Sequence, residues 1–75
     1  MNLVTDITVL GQMVRTTRKA QGLTLAQLAA TCGYGVRFIR ELEQGKPSCQ
    51  IAKVMHVIAM LGLELCIKGY EGESR

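Results

Sequence analysis

The sequence predicts one small, all-α or nearly all-α domain. A chain of 75 residues can bury a single hydrophobic core, which excludes a multidomain enzyme. Although 48% of the residues are hydrophobic, only 4% are aromatic, so the core must be aliphatic, as in small packed helices. The apolar residues also recur at helical spacing in segments that glycines separate. We therefore expect four to five helices, followed by a short C-terminal strand.

The first two helices have clear start signals. Helix one is expected over residues 7–21, with the Asp6 side chain accepting a hydrogen bond at its N-terminus. Helix two is expected over residues 25–32. Thr24 and Gln27 form a capping-box pattern in front of it, in which each side chain satisfies an otherwise unpaired backbone N–H.

Helices three and four have weaker signals. Helix three is expected over residues 36–44, behind Gly35, which has no side chain to cap it. Pro47 marks a loop, and helix four is expected to follow Ser48 and to continue to residue 61. Its apolar residues surround the helix axis instead of forming one stripe, which predicts burial on most sides.

Residues 63–68 alternate apolar and polar side chains with a period of two, as in a short strand. A strand needs a ladder partner, and the chain offers no second strand, so we expect antiparallel pairing with a second copy. The residues expected at this dimer interface are Val57, Met60, Leu63, Leu65 and Ile67. The domain then divides into an N-terminal arm (1–5), a helical core (6–62), a dimer strand (63–68) and a flexible tail (69–75).

Positive charge is concentrated in the first part of the chain. The net charge is +3, and residues 1–46 hold six Lys and Arg against three Asp and Glu, whereas the remainder is balanced. This distribution favours an anionic polymer as a partner. A solvated surface with a small charge excess is the alternative.

Helices two and three are short and joined by residues 33–35, which is typical of a helix-turn-helix whose second helix enters the DNA major groove. On a helical wheel, the residues of helix three opposite its apolar face are Arg37, Arg40, Glu41 and Gln44. Arginine can bridge O6 and N7 of guanine, and Glu or Gln can address cytosine or adenine. This outward set is therefore suited to reading bases, and a merely solvated face is the alternative.

Two charges lie within the apolar sectors of their helices. Glu43 falls about 40° from Ile39 on helix three, and Arg18 falls about 40° from Val14 on helix one. Buried charges occur in pairs, so we expect an Arg18–Glu43 salt bridge that ties the two helices together. The alternative is that both side chains reach the solvent separately.

A longer pattern runs through these features: Leu10-Gly11-x3-Arg15-x2-Arg18-Lys19-x2-Gly22-Leu23-Thr24-x2-Gln27-Leu28-Ala29, then Gly33, then Phe38-Ile39-x-Glu41-Leu42-Glu43-x-Gly45-Lys46. It resembles the Cro/C1-type (Xre) helix-turn-helix family, and within that family the HipB-like antitoxin branch. The resemblance continues through Pro47 and helix four to Leu61-Gly62-Leu63-x-Leu65, so it covers nearly the whole chain.

The resemblance implies a lambda-repressor-like fold and a homodimeric, sequence-specific repressor that binds double-stranded DNA at a palindromic operator. It further implies an autoregulating antitoxin encoded beside a HipA-like kinase toxin. A three-component operon, in which a separate small protein inhibits the kinase, is equally compatible. The alternative function is a protein-interaction module that binds a toxin or another partner, with DNA binding secondary.

The resemblance also assigns contacts by position. The base-reading residues would be Val36, Arg37, Arg40 and Glu41. Phosphate contacts would come from Arg15, Thr24, Gln27, Lys46 and the backbone of Gly35. One position departs from the family pattern, because the first residue of helix two is usually a phosphate-binding Gln and is Leu25 here.

No catalytic or metal-binding pattern is visible in the sequence. The single histidine, His56, lacks a nucleophile and carboxylate in a recognisable arrangement, and Cys32, Cys49 and Cys66 lack a short chelating spacing. We therefore expect no enzyme, cofactor or metal, and interpret the cysteines as reduced, small buried hydrophobes. Without a membrane span or signal peptide, we expect a cytoplasmic, nucleoid-associated protein.

Overall fold

The computed structural model describes residues 5–66 and contains four α-helices there. They are α1 (Ile7–Ala20), α2 (Leu25–Cys32), α3 (Val36–Glu43) and α4 (Ile51–Met60). The all-α prediction is thus confirmed for the described residues, with helix bounds within two residues of those expected. None of these helices has the length and apolar character that a bilayer crossing requires.

The predicted C-terminal strand is only partly covered. Residues 63–66 form no strand within the chain, whereas Ile67 and Lys68 lie outside the described residues. Residues 1–4 of the arm and the tail at 69–75 lie outside them too. The dimer strand therefore stays a prediction.

The predicted caps of α1 and α2 are confirmed. Asp6 Oδ1 accepts a hydrogen bond from the Val9 N–H at 3.0 Å. Thr24 Oγ1 accepts from the Gln27 N–H at 3.0 Å, and Gln27 Oε1 accepts from the Thr24 N–H at 2.8 Å. Helices α3 and α4 have no side-chain cap, so their stability depends more on packing.

Helix α3 lies at the centre of the fold, because it packs on α1 and α2, while α2 also packs on α4. The core is aliphatic, as the composition predicts. Its largest fully buried side chains are Val14, Leu28, Ile39, Leu42, Val54 and Val57. Ile39 and Leu42 project from the same side of α3, which leaves the opposite face of this helix in solvent.

Helices α1 and α3 approach closely because Gly11 has no side chain. A Cβ atom on Gly11 would lie 2.8 Å from the carbonyl oxygen of Glu43. The predicted salt bridge lies at the same contact: Arg18 Nε donates to Glu43 Oε2 at 2.7 Å, and Nη2 donates to Oε1 at 3.1 Å. Arg18 Nη1 also donates to the Leu23 carbonyl at 2.8 Å. The pair is nearly buried, with 9% and 7% of its side-chain areas exposed.

Helix α4 is less buried than its composition predicts. Val57 has no exposed area because it points into the core of its own chain, so its predicted place at the dimer interface is wrong. Ile51, Met55 and Met60 are exposed instead, by 65%, 47% and 42%. A helix that is apolar on most sides does not reveal from sequence which side faces the core.

The three cysteines differ in environment. Cys32 is buried as expected and Cys49 is partly buried, whereas Cys66 is exposed, contrary to expectation. Burial raises the pKa of the Cys32 and Cys49 thiols, because a low-dielectric environment disfavours the thiolate.

Candidate nucleic-acid interface

A tight turn joins α2 to α3. Gly33 adopts the left-handed conformation with φ +80°, and the Tyr34 N–H donates back to the Ala29 carbonyl at 3.0 Å. Glycine adopts this conformation without strain, so Gly33 ends α2 where a side chain would be disfavoured. The extended Gly35 then leads directly into α3.

A cluster that sequence analysis missed fixes this turn to α4. The Tyr34 hydroxyl forms a hydrogen bond with His56 Nδ1 at 2.8 Å, and the two rings meet edge to face with centroids 5.4 Å apart. Lys53 Nζ lies 5.5 Å from the centroid of the Tyr34 ring and 5.6 Å from that of Phe38. Tyr34 and His56 are 22 positions apart in sequence, so local patterns did not indicate these contacts. They hold the start of α3 in place.

The outward face of α3 is polar and open, as the helical wheel predicts. The Arg37 side chain is 86% exposed, and Arg40 and Gln44 are exposed beside it. Val36 is partly buried at the start of the helix. Guanidinium groups offer N–H donors in a planar fork, which matches the O6 and N7 acceptors of guanine.

Glu41 is already engaged by two cations. Its Oε2 atom accepts hydrogen bonds from Lys46 Nζ and from Arg37 Nε, each at 3.2 Å. These bonds, first that of Lys46 and then that of Arg37, hold the pKa of the Glu41 carboxyl below its usual range. Sequence analysis assigned Glu41 and Lys46 to separate roles, whereas the fold brings them together.

A groove of about 260 Å³ lies beside α3, where α1 and the start of α2 meet it. The residues lining it are Arg15, Arg18, Leu25, Arg40, Glu43 and Gln44. Arg18 and Glu43 neutralise each other, so Arg15 and Arg40 determine the charge of the groove. Leu25 contributes apolar surface at the position where the resemblance implies a polar phosphate contact. Helical wheels treat one helix at a time and therefore did not indicate this shared groove.

The remaining phosphate candidates have donors available. Thr24 and Gln27 use their side-chain oxygens in the capping box, which leaves the Thr24 hydroxyl proton and the Gln27 NH₂ group to donate outward. Both residues are exposed. Gly35 is exposed at the N-terminus of α3, where the first backbone N–H groups lack partners within the helix.

No protein-family model matches the chain. The chain is similar to a Sinorhizobium fredii protein named "Uncharacterized HTH-type transcriptional regulator y4mF", with 47% identity over 66 residues. The match covers 88% of this chain and 86% of y4mF, so it includes the helix-turn-helix formed by α2 and α3. Together with the exposed arginines of α3, this similarity places the chain among DNA-binding proteins. The chain belongs to the helix-turn-helix (HTH) transcriptional regulators.

Proposed function

We propose that the chain is a sequence-specific repressor that binds double-stranded DNA through α3. The observation that carries this proposal is the exposed pair Arg37 and Arg40, on the face of α3 opposite the buried Ile39 and Leu42. A helix that follows a helix-turn-helix turn and presents exposed guanidinium groups fits the major groove. Val36 adds an apolar contact of the kind that meets a thymine methyl group.

The proposed phosphate contacts come from three parts of the chain. Arg15 lies on α1, Thr24 and Gln27 lie at the start of α2, and Lys46 follows α3. These residues offer positive charge or free donors, and the backbone N–H groups at Gly35 add a further site. Such contacts fix the position of the helix on the duplex, whereas the side chains of α3 distinguish bases.

The repressor acts as a homodimer on a palindromic operator. Met60 and Leu65 expose 42% and 48% of their area in the single chain, and residues 63–66 have no ladder partner among residues 5–66. A second copy of the strand over residues 63–68 would satisfy these backbone groups and cover this apolar surface. The two copies of α3 would then face half-sites whose centres are separated by a multiple of about 10 base pairs.

A HipA-like kinase toxin is the proposed protein partner, on the basis of the resemblance to HipB-like antitoxins. The chain would then repress its own operon together with the kinase. Co-expression with the kinase encoded by an adjacent reading frame tests this proposal. Copurification of the two proteins supports it, and the lack of any complex between them contradicts it.

Selection of DNA from a random duplex pool tests the central proposal. We expect a palindromic consensus, and an affinity for it that falls steeply with salt concentration because phosphate contacts release counterions. The alternative function, a protein-interaction module, predicts no consensus sequence and weak binding to every duplex.

A further inference from the structure

Three charged side chains form a connected group on the outer face of α3, which we term the Glu41 triad: Arg37, Glu41 and Lys46. Glu41 Oε2 accepts hydrogen bonds from Arg37 Nε and from Lys46 Nζ, each at 3.2 Å. The exposed fractions of the three side chains are 86%, 26% and 46%. Glu41 is therefore the most enclosed member, with a cation on each side of its carboxylate.

The end of α3 brings Lys46 back toward Glu41. The Gly45 N–H donates to the Leu42 carbonyl at 3.0 Å, and the Lys46 N–H donates to the Glu41 carbonyl at 3.0 Å, which together form a Schellman motif. Gly45 has φ +81°, and a Cβ atom on it would lie 2.8 Å from Thr8 Cα. Position 45 thus requires glycine for two reasons, and the resulting turn holds the Lys46 backbone against Glu41.

A carboxylate on this face needs a physical reason. DNA phosphates repel a negative charge, and the groove beside α3 carries two further cations, Arg15 and Arg40. Folding stability does not supply the reason, because ion pairs with such exposed partners contribute little. An effect on the bound state is the remaining explanation.

We propose that Glu41 is a positioning residue, which holds Arg37 in a base-reading orientation and restrains Lys46 from binding phosphates on arbitrary DNA. This inference rests on the proposed function, and it replaces both direct base reading by Glu41 and the phosphate contact proposed above for Lys46. The bond from Arg37 Nε to Glu41 leaves the Nη donors of the guanidinium group free for a guanine edge. A long side chain that is already ordered loses less entropy when it binds.

Opposite effects on specific and nonspecific DNA follow from this role. Without the carboxylate, Arg37 samples more orientations, so discrimination between operator and random DNA decreases. Lys46 becomes free to contact a phosphate, so affinity for random DNA increases and depends more steeply on salt. A loss of fold would instead weaken binding to both kinds of DNA.

The test compares full-length wild-type protein with Glu41→Ala, Glu41→Gln, Arg37→Ala and the Arg37→Ala/Glu41→Ala double variant. The probes are the consensus duplex recovered by selection, its single-base variants and a scrambled duplex of equal length. Glu73→Ala serves as the matched control, since it removes the same charge from the C-terminal tail. Circular dichroism melting of each variant reports whether the fold is retained.

We expect Glu41→Ala to lower the ratio of operator affinity to scrambled-duplex affinity about 3- to 10-fold, the range that corresponds to ordering one long side chain. Its binding to the scrambled duplex should strengthen, with a salt slope steeper by about 0.9 for one added phosphate contact. Glu41→Gln should retain part of the discrimination, because an amide oxygen can still accept from Arg37. The double variant should discriminate no worse than Arg37→Ala alone.

Three results would overturn the inference. Glu41→Ala could relax a different base position from Arg37→Ala, which would make Glu41 a base reader. Glu41→Ala could change the affinities for the operator and for the scrambled duplex as Glu73→Ala does, which would reduce the role of Glu41 to net charge. It could also leave the discrimination between the two duplexes intact. Failure of the proposed function would look different, because wild-type protein would then show no preference for any duplex.

Discussion

Arg18 is the charged residue that the fold buries among residues 5–66, and it has three hydrogen bonds to compensate for its lost hydration. Two of them join it to Glu43 in a bidentate pair, and this hydrogen bonding raises the pKa of Arg18 above its already high normal value. Arg18 therefore stays charged throughout the pH range in which the other side chains titrate. The pair must be intact for α1 and α3 to pack without an isolated buried charge.

Replacing either partner of this pair should destabilise the fold strongly. We expect Arg18→Ala or Glu43→Ala to cost about 3–5 kcal/mol of unfolding free energy, because each leaves a buried charge unpaired. The double variant should lose clearly less than the sum of the two single variants. Urea unfolding of the wild type, the two single variants and the double variant gives the coupling energy of the double-mutant cycle. Lys19→Ala is an exposed control, which should change stability by less than about 0.5 kcal/mol. Additive losses below about 1 kcal/mol would mean that the two charges are independent.

The cysteines should differ in reactivity according to their burial. Cys66 is exposed and should react with a thiol reagent in the native protein, whereas Cys32 should react only on unfolding. Because burial raises the pKa of Cys32 and Cys49, less of the reactive thiolate is present at mildly alkaline pH at these two sites. Single Cys→Ser variants assign each rate. Native labelling of Cys32 as fast as that of Cys66 would contradict the described core.

At the scale of elements, the contact between α1 and α3 holds α3 in place. This contact combines the Arg18–Glu43 pair with the close backbone approach at Gly11. Helix α3 also packs on α2, and the Tyr34–His56 pair fixes the turn before α3 to α4. Helix α3 is thus held by α1, by α2 and through the turn that precedes it.

A methyl group at Gly11 should disturb this contact. The new Cβ atom of Gly11→Ala would lie 2.8 Å from the Glu43 carbonyl oxygen, and backbone atoms cannot move aside as a flexible side chain can. Because the new atom meets backbone, we expect an overpacking cost of about 3 kcal/mol, the upper end of the usual range, which the better helix propensity of alanine reduces to a net loss of about 2 kcal/mol. Gly35→Ala is the matched control, because its Cβ atom would meet nothing within 4 Å. Equal thermal stability of Gly11→Ala and wild type would refute the close approach of the two helices.

Local features of the elements could be predicted from sequence because their causes are local. The Asp6 cap and the capping box of Thr24 and Gln27 depend on residues three positions apart. The Arg18–Glu43 pair was also predictable, because a charge inside an apolar sector requires a partner.

Features that join distant elements could not be predicted in this way. The orientation of Val57 depends on which side of a mostly apolar helix faces α2, and a helical wheel does not show that. The engagement of Glu41 by Lys46 depends on the turn at Gly45, which lies beyond the helix that was analysed. The contact between Tyr34 and His56 similarly requires the packed arrangement of the turn and α4.

At the scale of the whole molecule, the proposed dimer would cover apolar side chains that are exposed in the single chain. Ile51, Met55, Met60 and Leu65 are each exposed by more than 40%. Small domains without disulfides often gain stability by association, and the described cysteines are free. Dimerisation would also place two copies of α3 on one side of a duplex.

Truncation tests the strand contribution to the dimer. A chain ending at Gly62 should sediment as a monomer at micromolar concentration and bind the operator more weakly, because the pairing strand is absent. A chain ending at Lys68 lacks only the tail and should stay dimeric. Circular dichroism checks that both remain helical. Dimerisation and full operator affinity of the shorter chain would assign the interface to α4 alone.

The most direct measurement of sequence reading by α3 is the affinity of Arg37→Ala and Arg40→Ala for the selected operator and for a scrambled duplex. Each substitution should cost about 1–3 kcal/mol on the operator and much less on the scrambled duplex, because each removes a base contact. Arg75→Ala, which removes the same charge from the tail, should leave the difference between the two duplexes unchanged. Equal losses on both duplexes for Arg37→Ala and Arg40→Ala would contradict base reading by α3 and reduce the two arginines to phosphate contacts.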